Sequence, residues 1–141
     1  NGKITLSPAI QLLNIDQLDD SLKWWLDISG GQLGGKFEVS WLSQVWYPRI
    51  CNYDSAPRDY RHMVADKLEK SLEYFSPHYM IRGFYKTQIE NLRADHLDEQ
   101  TAKELQQSNI RYNDTQDRHR KVKSWRKMLP KLEHSLTKSL N

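Results

Sequence analysis

Two strand-like stretches that enclose one helix-like stretch constrain this chain more than any other feature of its sequence. Residues 3–7 predict a strand, which Pro8 weakens because proline removes a backbone donor, and the apolar residues 10–13 continue it past a bulge. Residues 37–47 begin with apolar and polar residues that alternate at a period of two, which is typical of a second strand.

The stretch between the two strands has the pattern of an amphipathic helix. Leu18, Leu22 and Leu26 fall at helical spacing and predict a helix over residues 17–28, which Gly30 and Gly31 should end. A strand, a helix and a second strand in this order form a βαβ unit. Such a unit favours two parallel strands joined by a right-handed crossover.

The remainder of the chain reads as helical. Residues 54–57 combine a capping side chain with a proline and predict the start of a helix, whose apolar stripe ends before Ser76 and Pro77. Further helices are predicted near residues 78–93, near 98–107 and from 113 through 132, with a break near Leu129 caused by Pro130. We therefore predict an α/β fold in two parts, a parallel strand-helix-strand unit at residues 1–54 and a helical region at residues 55–141.

Composition excludes several classes of protein. The chain has 141 residues, a formal net charge of +3 and one cysteine, Cys51, so its own thiolates cannot form a disulfide framework, an iron–sulfur cluster or a zinc ribbon. The five histidines form no HxH or HxxxH pair, and we predict no metal site. No signal peptide is visible and no apolar run reaches the roughly 18–20 residues that cross a bilayer, so we expect a cytoplasmic protein without a membrane partner.

Positive charge is concentrated in one run, residues 118–127. Residues 1–57 carry four Lys or Arg against six Asp or Glu, whereas residues 58–141 carry 17 against 12. On a helix, Arg120, Lys123 and Lys127 would share one side, and Trp125 would be available to stack on a base. The run is also typical of a solvated helix face opposite an apolar stripe of Val122, Trp125 and Leu129, or of a surface for a protein or an acidic substrate.

Asp117 and Arg120 allow a second interpretation of the same region. They are three residues apart, so they would form a surface ion pair on a helix or point together into a cleft. No catalytic residue is predicted from any motif in the chain.

Three stretches in a fixed order carry a resemblance to a known family. They are residues 4–26, with an Asn-containing turn after the first strand; residues 37–53, with a proline after the second strand; and residues 113–132, with a D-x-x-R pattern followed by Ser-Trp and Leu-Pro. The chain resembles the C-terminal part of radical S-adenosylmethionine (SAM) proteins that carry a shortened auxiliary "twitch" region. Residues 77–110 match nothing in that pattern.

The resemblance implies a partial barrel whose strand ends border a SAM and substrate pocket. Asn14 and Gln44, which follow the two strands, would then lie beside the SAM adenosine. The family's Cys-x-x-x-Cys-x-x-Cys loop for a [4Fe–4S] cluster is absent here. We therefore expect a fragment that is inactive alone, with SAM and the cluster bound only by a full-length parent that acts on an unknown substrate such as a peptide.

The sequence also allows two other functions and one mode of association. The first alternative is a small basic module that binds nucleic acid through residues 118–131, and the second is an accessory interaction domain without chemistry. A partial barrel would also leave a sheet edge exposed, which predicts pairing with the missing N-terminal part or self-association through strands.

Overall fold

The computed structural model describes residues 2–33, 36–39, 43–45, 47–120 and 124–141. Short strands occupy the N-terminal part, and helices dominate the rest. The strands are β1 (Ile4–Leu6), β2 (Ala9–Ile10), β3 (Phe37–Val39) and β4 (Ser43–Gln44). The helices are α1 (Leu18–Ile28), α2 (Arg58–Ser71), α3 (Tyr79–Arg93), α4 (Glu99–Arg120), α5 (Trp125–Met128) and α6 (Pro130–Leu140). Three single 3₁₀ turns lie at Ile15–Gln17, Arg49–Cys51 and Tyr53–Ser55.

The predicted pairing of the two strand regions is confirmed. β1 pairs with β3 and β2 pairs with β4, both in parallel, with Thr5 opposite Glu38 and Ile10 opposite Gln44. The first strand region is interrupted at Ser7 and Pro8, where the sequence predicts a bulge. Trp41 and Trp46 of the second predicted strand lie outside the described residues.

Helix α1 connects the two strand regions as the βαβ pattern predicts. It ends at Ile28, and Gly31, with φ of +75°, donates its N–H to the Leu26 carbonyl at 2.8 Å. Only glycine adopts this left-handed conformation without strain, so the pair at Gly30 and Gly31 ends the helix. The predicted α/β fold class, a small parallel unit followed by a mostly helical half, is confirmed.

One hydrophobic core draws side chains from both halves of the chain. Ile10, Leu22, Leu68 and Leu132 are each no more than 1% exposed and belong to the same buried cluster. α2 and α3 pack as neighbours against this cluster. The core therefore fixes the ends of the strands relative to the helices behind them, and this positions the cavity described below.

Helix α4 corrects one prediction. The sequence predicts separate helices near residues 98–107 and from residue 113, but the structure has one helix from Glu99 to Arg120. Its inward face is polar: Gln106, Asn109 and Asn113 are 3%, 1% and 5% exposed. The Asn109 amide donates to the Ile50 carbonyl at 2.6 Å, so a buried amide takes the place of an apolar contact.

The C-terminal region is divided more finely than predicted. Ser124 has extended backbone (φ −52°, ψ 138°), so the helix predicted to run from residue 113 to Leu129 is wrong. The predicted break at Leu129 is confirmed: α5 ends at Met128, and Pro130 starts α6. Among the described residues, no helix is both long enough and apolar enough to span a membrane.

Candidate functional site: a polar cavity at the carboxyl end of β4

A cavity of about 400 Å³ opens where β4 ends. Residues from β4, from the segment with two 3₁₀ turns that follows it, from α3, from the α3–α4 loop and from α4 form its wall. They are Gln44, Tyr47, Arg49, Asn52, Asp54, Ser55, Asn91, His96, Leu97 and Leu105. The carboxyl end of parallel strands is where α/β folds commonly place their ligands.

A hydrogen-bonded network orients Gln44, the last residue of β4. Its Nε2 donates to Asn52 Oδ1 at 3.0 Å, and its Oε1 accepts from the Tyr53 hydroxyl at 3.0 Å. Tyr53 is fully buried, and its hydroxyl also contacts Gln88 Oε1 on α3, so two amide oxygens share its single proton. Burial raises the pKa of Tyr53, so the phenol stays protonated and holds the Gln44 amide in one orientation.

Asp54 places a half-buried carboxylate in the same wall. Its Oδ1 accepts from Gln44 Nε2 at 3.4 Å, which is long for a hydrogen bond. Burial raises the pKa of Asp54, while the charges of His96 and Arg61 act in the opposite direction. In the part of the chain that the structure describes, no Lys, Arg or His nitrogen forms an ion pair with this carboxylate.

The buried side chain of Arg61 on α2 connects the segments that carry the wall residues. Its Nη1 donates to the carbonyls of Leu92, at 2.9 Å, and Ala94, which end α3. Its Nε donates to the Ala56 carbonyl at 3.2 Å, and its Nη2 pairs with Asp95 at 2.7 Å. One guanidinium thus ties the turn after Asp54 to the loop that carries His96.

A second cavity of about 510 Å³ adjoins the first and shares Asp54 and Leu97 with it. Arg58 and Lys103 stand in its wall. Each has an acidic partner: Arg58 lies 3.6 Å from Asp95, and Lys103 lies 2.9 Å from Glu99. These side chains are largely exposed, so the pairs are weak and open to exchange with a ligand.

Of the two residues predicted to border a cofactor, only Gln44 lines the cavity. The Asn14 amide is committed to its own turn: Nδ2 donates to the Ala9 carbonyl at 2.9 Å, and Oδ1 accepts from the Gln11 N–H at 2.8 Å. The structure therefore gives Asn14 a local structural role and does not bring it to Gln44.

Two of the residues singled out near the basic run, Asp117 and Trp125, form hydrogen bonds within the protein. Trp125 is 3% exposed, and its indole N–H donates to Asp114 at 2.9 Å, so its ring is not available for stacking on a base. Asp117 accepts from the Trp125 backbone N–H at 2.9 Å. These contacts correct the interpretation of Trp125 as an exposed binding residue.

The proposed common helix face is also interrupted. Arg120 ends α4, Lys123 lies outside the described residues, and Lys127 is exposed on α5 beyond the extended backbone at Ser124. The Arg126 guanidinium pairs with Asp114, which lowers the pKa of that carboxyl. This arginine therefore stabilises the α4–α5 connection.

Most residues of the cavity wall are not predicted by any pattern in the sequence. Residues 54–57 predict a helix start, but Asp54 lies in the 3₁₀ turn before α2, and no motif in the sequence marks Asn52 as a site residue. Asn52 and Asp54 come five and seven residues after residue 47, where the predicted second strand ends, and this nearness to a strand end was the available signal. Asn91 and His96 come from the unmatched residues 77–110, where no pattern in the sequence indicates that they approach Gln44.

No family model, curated protein or solved structure matches this chain. Among the residues described, no group of three or more His, Cys, Asp or Glu side chains converges as a metal site. The cavity itself offers amide and carboxylate groups beside the exposed ring of Tyr47, which is 84% exposed. Such groups fit an organic ligand with a planar ring and polar edges.

Proposed function

We propose that this chain forms part of the wall of a nucleoside pocket and that the ligand is SAM, as the resemblance to radical SAM proteins implies. The observation that carries the proposal is the position of Gln44. Its amide ends a parallel strand, lines a cavity and is held by Tyr53 and Asn52. A fixed amide at the carboxyl end of a strand is suited to the polar edge of an adenine ring.

The rest of the wall supports the same ligand class. The ring of Tyr47 lies at the cavity wall and is exposed enough to pack against a planar base. Leu97 and Leu105 supply apolar surface, and Asp54 supplies negative charge near a cationic sulfonium. The mixture of a few fixed polar groups with apolar surface is typical of small-molecule sites.

In this proposal another segment of the same protein binds the iron–sulfur cluster. A [4Fe–4S] cluster of this family requires three thiolates, and the sequence has one cysteine. Bound to such a cluster, SAM supplies a 5′-deoxyadenosyl radical; the residues described here would only bind and orient the nucleoside. In this proposal the chain acts together with a cluster-binding segment of the same protein and is inactive alone.

Calorimetric titration of the chain with SAM and adenosine tests the proposal. We expect both to bind, and Gln44→Ala to weaken both by about tenfold, the effect of losing one or two hydrogen bonds. Gln32→Ala, at an exposed position after α1, is the matched control. Absence of binding by either nucleoside, or equal effects of the two substitutions, would overturn the assignment. Reading the gene upstream for the three-cysteine loop provides an independent check.

A further inference from the structure

The side-chain amide of Asn52 has two hydrogen-bond donors without an acceptor in the wall of the cavity at β4. Asn52 is 8% exposed, and its Oδ1 accepts from Gln44 Nε2 at 3.0 Å and from the Asp54 backbone N–H at 2.8 Å. A backbone N–H can only donate, so the amide oxygen must face it and the nitrogen lies on the other side. Among the described residues, Nδ2 donates to no acceptor and is not fully enclosed by protein. Because Asn52 lines the cavity, a ligand there can supply the missing acceptor.

Arg49, three residues before Asn52, adds a cation to the same wall. Its side chain is exposed, and with the described residues it forms no ion pair and no hydrogen bond. Arg61 differs in this respect, because its guanidinium is bound to backbone carbonyls and to Asp95. A guanidinium with all its N–H groups unused matches the two oxygens of a carboxylate. Arg49 and Asn52 together therefore favour an anionic acceptor.

The charges around these donors favour a carboxylate over a phosphate. Asp54 lies in the same wall, and of the charged groups that oppose its negative charge His96 is the strongest and Arg61 the next. A carboxylate adds one negative charge beside Asp54, whereas a phosphate monoester adds close to two near pH 7. Leu97 and Leu105 in the same wall provide apolar surface for the rest of such an acid.

We infer that Asn52 and Arg49 bind the carboxylate of a second substrate, an organic acid that lies beside the nucleoside. The inference rests on the proposed function, because a 5′-deoxyadenosyl radical acts on a second molecule, and the acid is assigned to that molecule. Asn52 joins the two parts of the cavity: its Oδ1 holds the Gln44 amide for the nucleoside, and its Nδ2 is left for the acid.

Benzoate and benzamide provide the test, since they share a shape and differ in charge. We expect benzoate to bind at least about tenfold more tightly in an NMR titration, the effect expected of a charged hydrogen bond. The side-chain amide signals of Asn52 should shift as benzoate binds. Benzoate should also bind when the chain is saturated with adenosine, because the two ligands occupy adjacent parts of the cavity.

Two variants locate the carboxylate site. Asn52→Asp keeps an oxygen for the Gln44 and Asp54 donors and replaces Nδ2 by a second oxygen, so it should abolish the preference for benzoate. Arg49→Gln, at an exposed position, should reduce the preference about tenfold. Arg82→Gln is the matched control, because Arg82 is an exposed arginine on α3 outside the cavity wall, and it should leave the preference unchanged.

The outcomes separate this inference from the proposed function. If adenosine binds but benzoate binds no better than benzamide, or if both Asn52→Asp and Arg49→Gln retain the preference with native circular dichroism spectra, the inference is overturned and the nucleoside pocket stands. Displacement of benzoate by adenosine would overturn the assignment to a second substrate. If neither SAM nor adenosine binds, the proposed function fails, and the benzoate titration alone decides the carboxylate site. Benzoate binding that is lost in Asn52→Asp supports that site, and absence of benzoate binding overturns it.

Discussion

Arg61→Met is expected to lower the free energy of unfolding by about 3–5 kcal/mol, because it removes the group that fastens the cavity wall. The Arg61 side chain is 7% exposed, and its donors reach Ala56, Leu92, Ala94 and Asp95. Methionine preserves the length and apolar packing of the stem, so the loss reports mainly on the hydrogen bonds.

The magnitude follows from the groups that the substitution leaves without a donor. The carbonyls of Leu92 and Ala94 lie at the end of α3, where helix carbonyls have no partner within the helix. Each buried polar group left unsatisfied costs about 1–3 kcal/mol. The Ala56 carbonyl adds a smaller amount through its longer 3.2 Å bond, and Asp95 adds little because it is half-exposed.

Urea unfolding followed by circular dichroism measures this effect, and Arg58→Met is the matched control. Arg58 lies one turn earlier on the same helix, is 68% exposed and makes one ion pair of 3.6 Å. Its replacement should cost less than about 1 kcal/mol. The reasoning is wrong if the two variants lose equal stability, or if Arg61→Met loses less than about 1 kcal/mol.

Three further predictions concern stability. Asn14→Ala should lower the free energy of unfolding by about 1–3 kcal/mol in urea, since two backbone bonds are lost; a loss below about 0.5 kcal/mol would contradict its turn role. Tyr60→Phe should leave the melting temperature unchanged or raise it, because that buried hydroxyl has no partner among the described residues; a marked drop would indicate an unseen bond. Burial raises the pKa of Asp54 above 3.8, so its ionisation destabilises the fold at neutral pH. Asp54→Asn should therefore raise the melting temperature at pH 7, and this gain should disappear as the pH falls below 3.8. A pH-independent gain would refute that origin.

The sequence was sufficient for the elements that bury apolar side chains at a regular period. α1 and α2 expose one face and bury the other, and their predicted positions agree with the structure to within a few residues at each end. The parallel strand pairing also followed from the order of elements, because a helix between two strands makes a parallel crossover the favoured topology.

Helix α4 shows why the periodicity of apolar residues alone does not predict every helix. Its buried face carries the amides of Gln106, Asn109 and Asn113, which are spaced three and four residues apart as in any helix. Apolar periodicity predicts that polar residues are exposed to solvent, so it does not identify polar residues that are buried. Their burial depends on partners such as the Ile50 carbonyl, which is distant in the sequence.

The cavity was predictable only in part for the same reason. Gln44 could be found from its place at a strand end, but Asn91 and His96 belong to α3 and to the loop after it, and α3 contacts the 3₁₀ turn at Tyr53–Ser55. The run of positive charges allows Trp125 either a place in an apolar stripe or a role in binding a base, and its burial supports the apolar stripe. The acidic side chains of Asp114 and Asp117, which precede that run, bind the indole and the backbone of this residue.

The turn made by Asn14 also determines where the sheet can be extended. The Ile10 carbonyl accepts from Val45 at 2.7 Å, so the alternating groups of the same strand, the Ala9 carbonyl and the Gln11 N–H, face away from β4. A further parallel strand would bind these two groups, and the Asn14 amide already occupies both with one donor and one acceptor. An added strand, whether from an upstream segment or from a second copy, must therefore stop alongside β1 or displace this amide. A single side chain thus protects the outer edge of β2 from unintended strand addition.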